Sequence, residues 1–341
     1  MTAEHPEFAL RRERVALRSR MAKERGKDRP NLADARPAQD EVVSDLELGN
    51  FAALRAGDEV WVSSTPITAN ESRASAVAAA LAWFAKQELT TQHRLVIVDS
   101  RQPGVTARVL SNFAVPATVF DADSVAAPSA HLVPLEPHAN HLAFTDMFRR
   151  AGADVVIEHG VVAAEVAGLE VARVVDEDGR ATLRIGVGVH DRETFRMLHG
   201  DEATDSQLRG VVETVAAHRT PGAATHPLNL LAPERALRHR AVKNPNAFGF
   251  AALHIAEPPL PRANLKDSVP CCATGRTVDG DEVVAVFVAG VDLDAVPFAA
   301  DARSRLSPRA RLTIVSESRN IVPTQRRLAA LLHAPAEFVS A

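Results

Sequence analysis

The segment Gly-Val-Gly-Val-His-Asp-Arg-Glu, from Gly186 to Glu193, sets a cluster of ionisable side chains directly behind two glycines. Glycine in a strand leaves room for a ligand or a second backbone, and ionisable groups at the carboxyl end of a strand lie where α/β proteins hold substrate. His190, Asp191 and Glu193 are therefore the expected acid–base residues. The same residues also read as a helix start, with Asp191 at the cap and Glu193 in a first turn whose dipole favours acids.

Two further groups suit anions. His226 and Asn229 in His-Pro-Leu-Asn, and Lys243 and Asn246 in Lys-Asn-Pro-Asn, stand on turn-forming segments, and loops carry binding side chains more often than strands do. His226 and Lys243 are the expected anion contacts. Ser63, Ser64 and Thr65, then Asp99, Ser100 and Arg101, and later Ser316, Glu317 and Ser318, fall at strand ends that precede helices. Free N–H groups there bind phosphate or carboxylate, which makes Ser64, Thr65, Ser100 and Arg101 candidate cofactor contacts; plain N-capping is the competing use. No GxGxxG, no GK[ST] phosphate loop and no GxSxG nucleophile turn occurs, so the cofactor stays unidentified.

Asp154, Glu158, Glu165 and Glu170 punctuate a set of apolar strands, and carboxylates on neighbouring strands can converge on a divalent cation. A helix followed by such strands resembles the PD-(D/E)xK nuclease core, with Glu170-Val-Ala-Arg173 at the place of its acid-x-Lys element. The resemblance implies a metal-dependent nuclease as an alternative function. The sequence departs from that pattern: no lysine lies between Lys86 and Lys243, and the arginine is one residue too far along. His138 and His141 have i,i+3 spacing with Glu136 nearby, yet no third ligand is fixed. Cys271 and Cys272 are adjacent, without CxxC spacing, and read as small buried residues at a strand entrance; no metal ligand is assigned.

The elements that must position these residues follow from pattern and composition. The chain has 341 residues, 46% hydrophobic and 24% charged, which suits a globular protein of about two domains. Asp-Glu-Val-Trp-Val-Ser-Ser-Thr from Asp58, an Ala-rich helical stretch, and Arg-Leu-Val-Ile-Val-Asp-Ser from Arg94 form a βαβ unit, and its unbroken apolar strands predict a parallel sheet covered on both faces. A second helix and the strand Pro-Ala-Thr-Val-Phe follow. The plan recurs: Asp-Glu-Val-Val-Ala-Val from Asp281, Arg-Leu-Thr-Ile-Val-Ser from Arg311, and residues 328–339, which match 109–120 down to a shared Pro-Ala. Between the copies, strands at 154–188 with a hairpin turn at Asp176-Glu177-Asp178-Gly179 predict an antiparallel meander, and helices follow it.

The expected fold is thus α/β, with two Rossmann-like βαβ units, an internal repeat, flanking a mixed α+β middle segment. Its divisions are 1–45, a basic helical arm and linker; 46–135, the first unit; 136–270, the middle; and 271–341, the second unit. The arm is dense in Lys and Arg from Arg11 to Arg29, with Leu10, Val15, Leu17 and Met21 as a thin apolar stripe, and reads as a solvated helix against its own domain or an arm for a partner. A net charge of −4, aromatic residues at 4% and the absence of tyrosine argue against nucleic acid. No apolar leader or membrane-length apolar run is present, and two adjacent cysteines form no disulfide framework, so a soluble, cytoplasmic protein is expected. The leading function is an enzyme or ligand-binding protein for a small anionic metabolite or nucleotide. The alternative of a different class is a non-catalytic homo-oligomeric assembly or regulatory protein.

Overall fold

Val60, Trp61 and Val62, and Leu95, Val96 and Ile97, are β-rich apolar runs, and in the computed structural model they form adjacent parallel strands that pair Val60 with Leu95 and Val62 with Ile97. The structure describes residues 5–27, 42–68, 74–87, 93–200, 203–220, 226–261 and 269–341. The linker expected over residues 28–40, and residues 262–268 of the proline-rich connector, lie outside them. The fold is mixed α/β, with three sheets among the described residues.

In chain order, the first elements are α1 (Pro6–Lys27), β1 (Val43–Leu48), β2 (Phe51–Ala56), β3 (Glu59–Pro66), α2 (Ala76–Phe84), β4 (Arg94–Val98), α3 (Pro103–Leu110), β5 (Ala117–Asp121) and β6 (Ser124–Val125). Then come α4 (Ala139–Leu142), α5 (Thr145–Ala151), β7 (Asp154–Glu158), β8 (Val161–Val166), β9 (Leu169–Glu177), β10 (Arg180–Ile185), α6 (Val189–His199), α7 (Asp205–His218) and α8 (Pro233–Lys243). The chain closes with β11 (Phe250–Ala256), β12 (Cys271–Thr277), β13 (Glu282–Phe287), α9 (Ala295–Leu306), β14 (Arg311–Ser316), α10 (Pro323–Ala329) and β15 (Ala336–Ser340). None of the described helices is long and apolar enough to cross a membrane.

The chain divides into two compact units. Unit 1 comprises residues 1–130, 291–301 and 321–336. Its sheet runs β1-β2-β3-β4-β5-β6, antiparallel from β1 to β3 and parallel from β3 to β5. One face is covered by α1, whose Leu17 and Met21 pack with Leu54, Trp61 and Val96. Three basic residues of α1 bond acids of the same unit: Arg14 and Arg18 reach Asp45 at 3.2 and 2.6 Å, and Arg25 reaches Glu59 at 2.8 Å. Leu17 and Met21 of the thin stripe are therefore a packing seam, Val15 stays exposed, and Arg14, Arg18 and Arg25 are paired locally.

Unit 2 comprises residues 131–290, 302–320 and 337–341. Its first sheet is the meander β10-β9-β8-β7, antiparallel throughout, with β9 and β10 joined at Asp178-Gly179 and pairing Glu177 with Arg180. Phe148 of α5 and Leu208, Val212 and Val215 of α7 close its core against Leu169 and Val171. The second sheet runs β11-β12-β13-β14-β15, and α8 lays Leu237 and Ala241 against its Phe250, Leu253, Cys271 and Phe287. Burying one such aliphatic side chain contributes about 1.5–3 kcal/mol, so this contact fixes which side of α8 faces the sheet.

Candidate functional site

α8 reads Pro-Glu-Arg-Ala-Leu-Arg-His-Arg-Ala-Val-Lys, charged on more than one face. At 3.6 residues per turn, Arg235 and Arg238 share one side, while His239 and Lys243, at i,i+4, share another. The inward side is buried. Arg235 donates to both Glu158 of β7 and Glu165 of β8; Arg238 donates to Glu158 at 2.7 Å and to the Cys272 carbonyl at 3.4 Å. Burial alone would raise the Glu158 carboxyl, but the charges of Arg238 and Arg235 outweigh it and hold it below the usual range. Glu165 is fully buried, and there burial wins, raising its carboxyl against partial compensation by Arg235 and Arg238.

The turn that joins β8 to β9 reaches the same helix. Gly168 has φ +81°, and a Cβ on it would lie 2.3 Å from the Arg235 carbonyl carbon, so only glycine allows this approach. Arg219, at the end of α7, donates to the carbonyls of Ala167 at 2.9 Å, Leu228 at 2.7 Å and Leu231 at 3.1 Å. One guanidinium thus ties the β8–β9 turn to the 3₁₀ turn Pro227–Leu230. Burial lowers the Arg219 pKa, and the charge of Glu165 acts against that shift.

These ties shape a cleft of about 750 Å³ along the other side of α8. Ala236, His239, Arg240 and Lys243 of α8 line it, together with Ala167, His218, Arg219, Thr220 and Asn229, and with Asn244 and Phe248 just beyond the C-terminus of the helix. The His218 ring stacks on His226 with centroids 3.8 Å apart and planes 13° from parallel. His226 Nδ1 in turn accepts from the Leu228 N–H at 3.3 Å. Asp154 of β7 receives hydrogen bonds from His239 Nδ1 and Lys243 Nζ, each at 2.9 Å. The His239 bond is the main reason its carboxyl is pulled down to about 2, with Lys243 assisting against desolvation. The side chains of Arg240, Asn229 and Asn244 make no hydrogen bond or ion pair among the described residues.

The sequence-predicted residues fall in several places. Lys243 lines the cleft, and His226 supports it through His218. His190 is fully exposed on α6, 3.8 Å from Glu193, and neither lines the cleft. Asp191 spends its carboxylate on the Val187 N–H at 2.6 Å. The expectation that Gly186 and Gly188 lie within a strand is corrected: β10 ends at Ile185, and the two glycines turn the chain into α6. Gly186 has φ +134°, and a Cβ on it would sit 2.8 Å from the Arg192 nitrogen, so the glycine serves a tight turn rather than an open strand face. Asn246 is exposed in the 3₁₀ turn after α8.

Ser64, Thr65, Ser100 and Arg101 belong to unit 1. Ser64 is half-buried and Thr65 exposed at the end of β3, beside Ser63, which donates to Asp99 at 3.1 Å. Ser100 bonds Thr106 at 2.8 Å, and Arg101 is exposed. Of the four acids, Asp154, Glu158 and Glu165 are held as described, and Glu170 is bound by Arg173 at 2.6 Å and Arg192 at 2.8 Å. Each therefore meets a cation of its own chain, and no group of three or more His, Cys, Asp or Glu able to hold a metal occurs among the described residues. His141 bonds Asp176 at 2.9 Å. Cys271 and Cys272 are buried, and burial pushes the Cys271 thiol up to about 12.

Searches against protein-family models, curated proteins and solved structures each find no match.

Proposed function

We propose that this protein binds a small anionic ligand in the cleft of unit 2, with Lys243, Arg240 and His239 as the anion contacts. The observation that carries the reading is the charge balance of that surface. Three basic side chains of α8 line one cleft, Asp154 faces two of them, and Arg240 has no counter-charge among the described residues. Arg240 and Lys243 are exposed along the cleft, so an anion can reach both, and basic groups gathered in one concavity add their fields at a single place. The claim is one of binding, and no bond-making step is assigned to any residue. Calorimetric titration of inorganic phosphate is the test: the wild type binds, and Lys243→Ala with Arg240→Ala weakens binding at least tenfold, while His190→Ala leaves it unchanged. Phosphate binding insensitive to the α8 substitutions would reject the site.

We also infer that residues 46–135 and 271–341 are two copies of one βαβ plan with a Rossmann-like parallel core. The matching strand orders support this: β2-β3-β4-β5 and β12-β13-β14-β15 each begin with an antiparallel pairing that is followed by a parallel one. Contacts inside unit 1 add a second, independent support. Phe113 and Leu332, equivalent positions in the repeat, pair with each other in an antiparallel bridge, with Ala114 N–H donating to Leu331 and His333 N–H to Asn112. Ser75, which caps α2, likewise meets Asp294, which stands at the same place before α9, through its backbone N–H at 2.7 Å.

A further inference from the structure

We propose that the ligand of this cleft is a nucleoside monophosphate lying along α8, its phosphate at the Arg240–Lys243 end and its base between His218 and Asn229; this rests on the anion-binding reading above. Size is the first argument. A cleft of about 750 Å³ exceeds a lone phosphate many times over and falls in the range of sites for organic ligands. Length is the second. From Ala236 to Lys243 the helix advances about 10 Å at 1.5 Å per residue, so an occupant touching both ends is an extended organic phosphate rather than a compact ion.

The third argument is that the two ends differ chemically. Toward the C-terminus of α8 stand His239, Arg240 and Lys243. Toward its N-terminal half the cation is Arg219, and it donates to three backbone carbonyls, which leaves it little to offer a ligand. That end instead presents methyl groups of Ala167 and Ala236, the His218 ring and the side-chain amide of Asn229. The ring is held in place by the parallel His226, and a fixed aromatic plane of this kind suits a stacked heterocycle. The Asn229 amide carries both donors and an acceptor and makes no side-chain hydrogen bond among the described residues, which suits the donor–acceptor edge of a base.

The test is calorimetric titration of the full chain with inorganic phosphate, ribose 5-phosphate and the four ribonucleoside 5′-monophosphates. At least one nucleotide is expected to bind tenfold or more tighter than ribose 5-phosphate. His218→Ala and Asn229→Ala are each expected to reduce that nucleotide to the level of ribose 5-phosphate while leaving inorganic phosphate unchanged, which doubles as the check that the variants fold. Four nucleotides no tighter than ribose 5-phosphate would overturn the proposal while the anion site stands. Equal weakening of phosphate and nucleotide by both variants would overturn it as well. Phosphate compounds that all fail to bind the wild type would instead remove the anion reading beneath it.

Discussion

The two charged sides of α8 use the same chemistry to opposite ends. On the inner side, Arg235 and Arg238 face Glu158 and Glu165, two cations against two anions, buried and closed off by β7, β8 and β12. On the cleft side, His239 and Lys243 share the single carboxylate of Asp154, and Arg240 has no counter-charge among the described residues, with solvent alongside. The difference teaches that charge count and burial, rather than residue type, separate a structural ion cluster from a binding surface. A buried pair that loses one partner strands the other, whereas a cleft cation that loses its partner is simply hydrated.

The largest effect that would break this comparison is on the inner side. Arg238→Ala leaves Glu158 and Glu165 short of a counter-charge and is expected to cost about 3–5 kcal/mol of unfolding free energy in urea melts. A loss below 1 kcal/mol would mean the inner cluster is as hydrated as the cleft. The next effect comes in acid. The Asp154 carboxyl titrates near 2 in the folded protein against an ordinary 3.8, so its contribution is complete above pH 3.8 and fades as pH falls toward 2. With solvent screening of this half-buried group, Asp154→Asn is expected to flatten stability between pH 4 and pH 2 by on the order of 1 kcal/mol. In the inner cluster the Glu158 carboxyl is held below its ordinary value by Arg238 and Arg235 and the Glu165 carboxyl is raised by burial, so the two act on opposite sides of the ordinary glutamate pKa.

A smaller effect sharpens the account of the repeat. Ser75→Ala and Asp294→Ala should each destabilise by about 1 kcal/mol, and the double variant by less than the sum, because each removes the same bond. Additive losses in thermal melts would uncouple the two positions. Smallest of all, Lys243→Ala should change stability by at most about 0.5 kcal/mol, as expected for an exposed ion pair.

Much of the architecture was legible in the sequence. The apolar runs at Val60–Val62 and Leu95–Val98 stated a parallel sheet, and the acidic-glycine turn before Arg180 stated a hairpin. The antiparallel strands β1, β2, β11 and β12 were not read. Gly-Asn at 49–50 and Gly-Asp at 57–58 are the turn pairs that could have revealed the first two, but the alternation of Leu-Glu-Leu is only three residues long and Ala-Ala-Leu-Arg-Ala lacks one. The helix α9 is the helix of the second βαβ unit, and Ala-Val-Pro-Phe, which blurs its start in the sequence, places a proline in its first turn, where a helix tolerates it.

The candidate site was half legible. Lys243 and His226 stood out because their sequence neighbourhoods, Lys-Asn-Pro-Asn and His-Pro-Leu-Asn, are turn-forming, although Lys243 itself closes α8. Arg240 and His239 did not, since a helix with arginines on two sides looks uniformly solvated until the buried acids of β7 and β8 claim one of them. The signal available was the Arg235–Arg238 spacing of three, matched by acids Glu158 and Glu165 on strands far away in sequence, and only tertiary pairing joins the two sets. His190 drew notice for the opposite reason: local chemistry made it conspicuous, while the fold leaves its side chain in solvent.

The measurement that tests the central claim most directly is the affinity of the wild type and of the Arg240→Ala, Lys243→Ala double variant for inorganic phosphate, set beside the urea stability of both. The account predicts at least a tenfold loss of affinity with stability changed by no more than about 1 kcal/mol. Unchanged affinity in a stably folded double variant would contradict it.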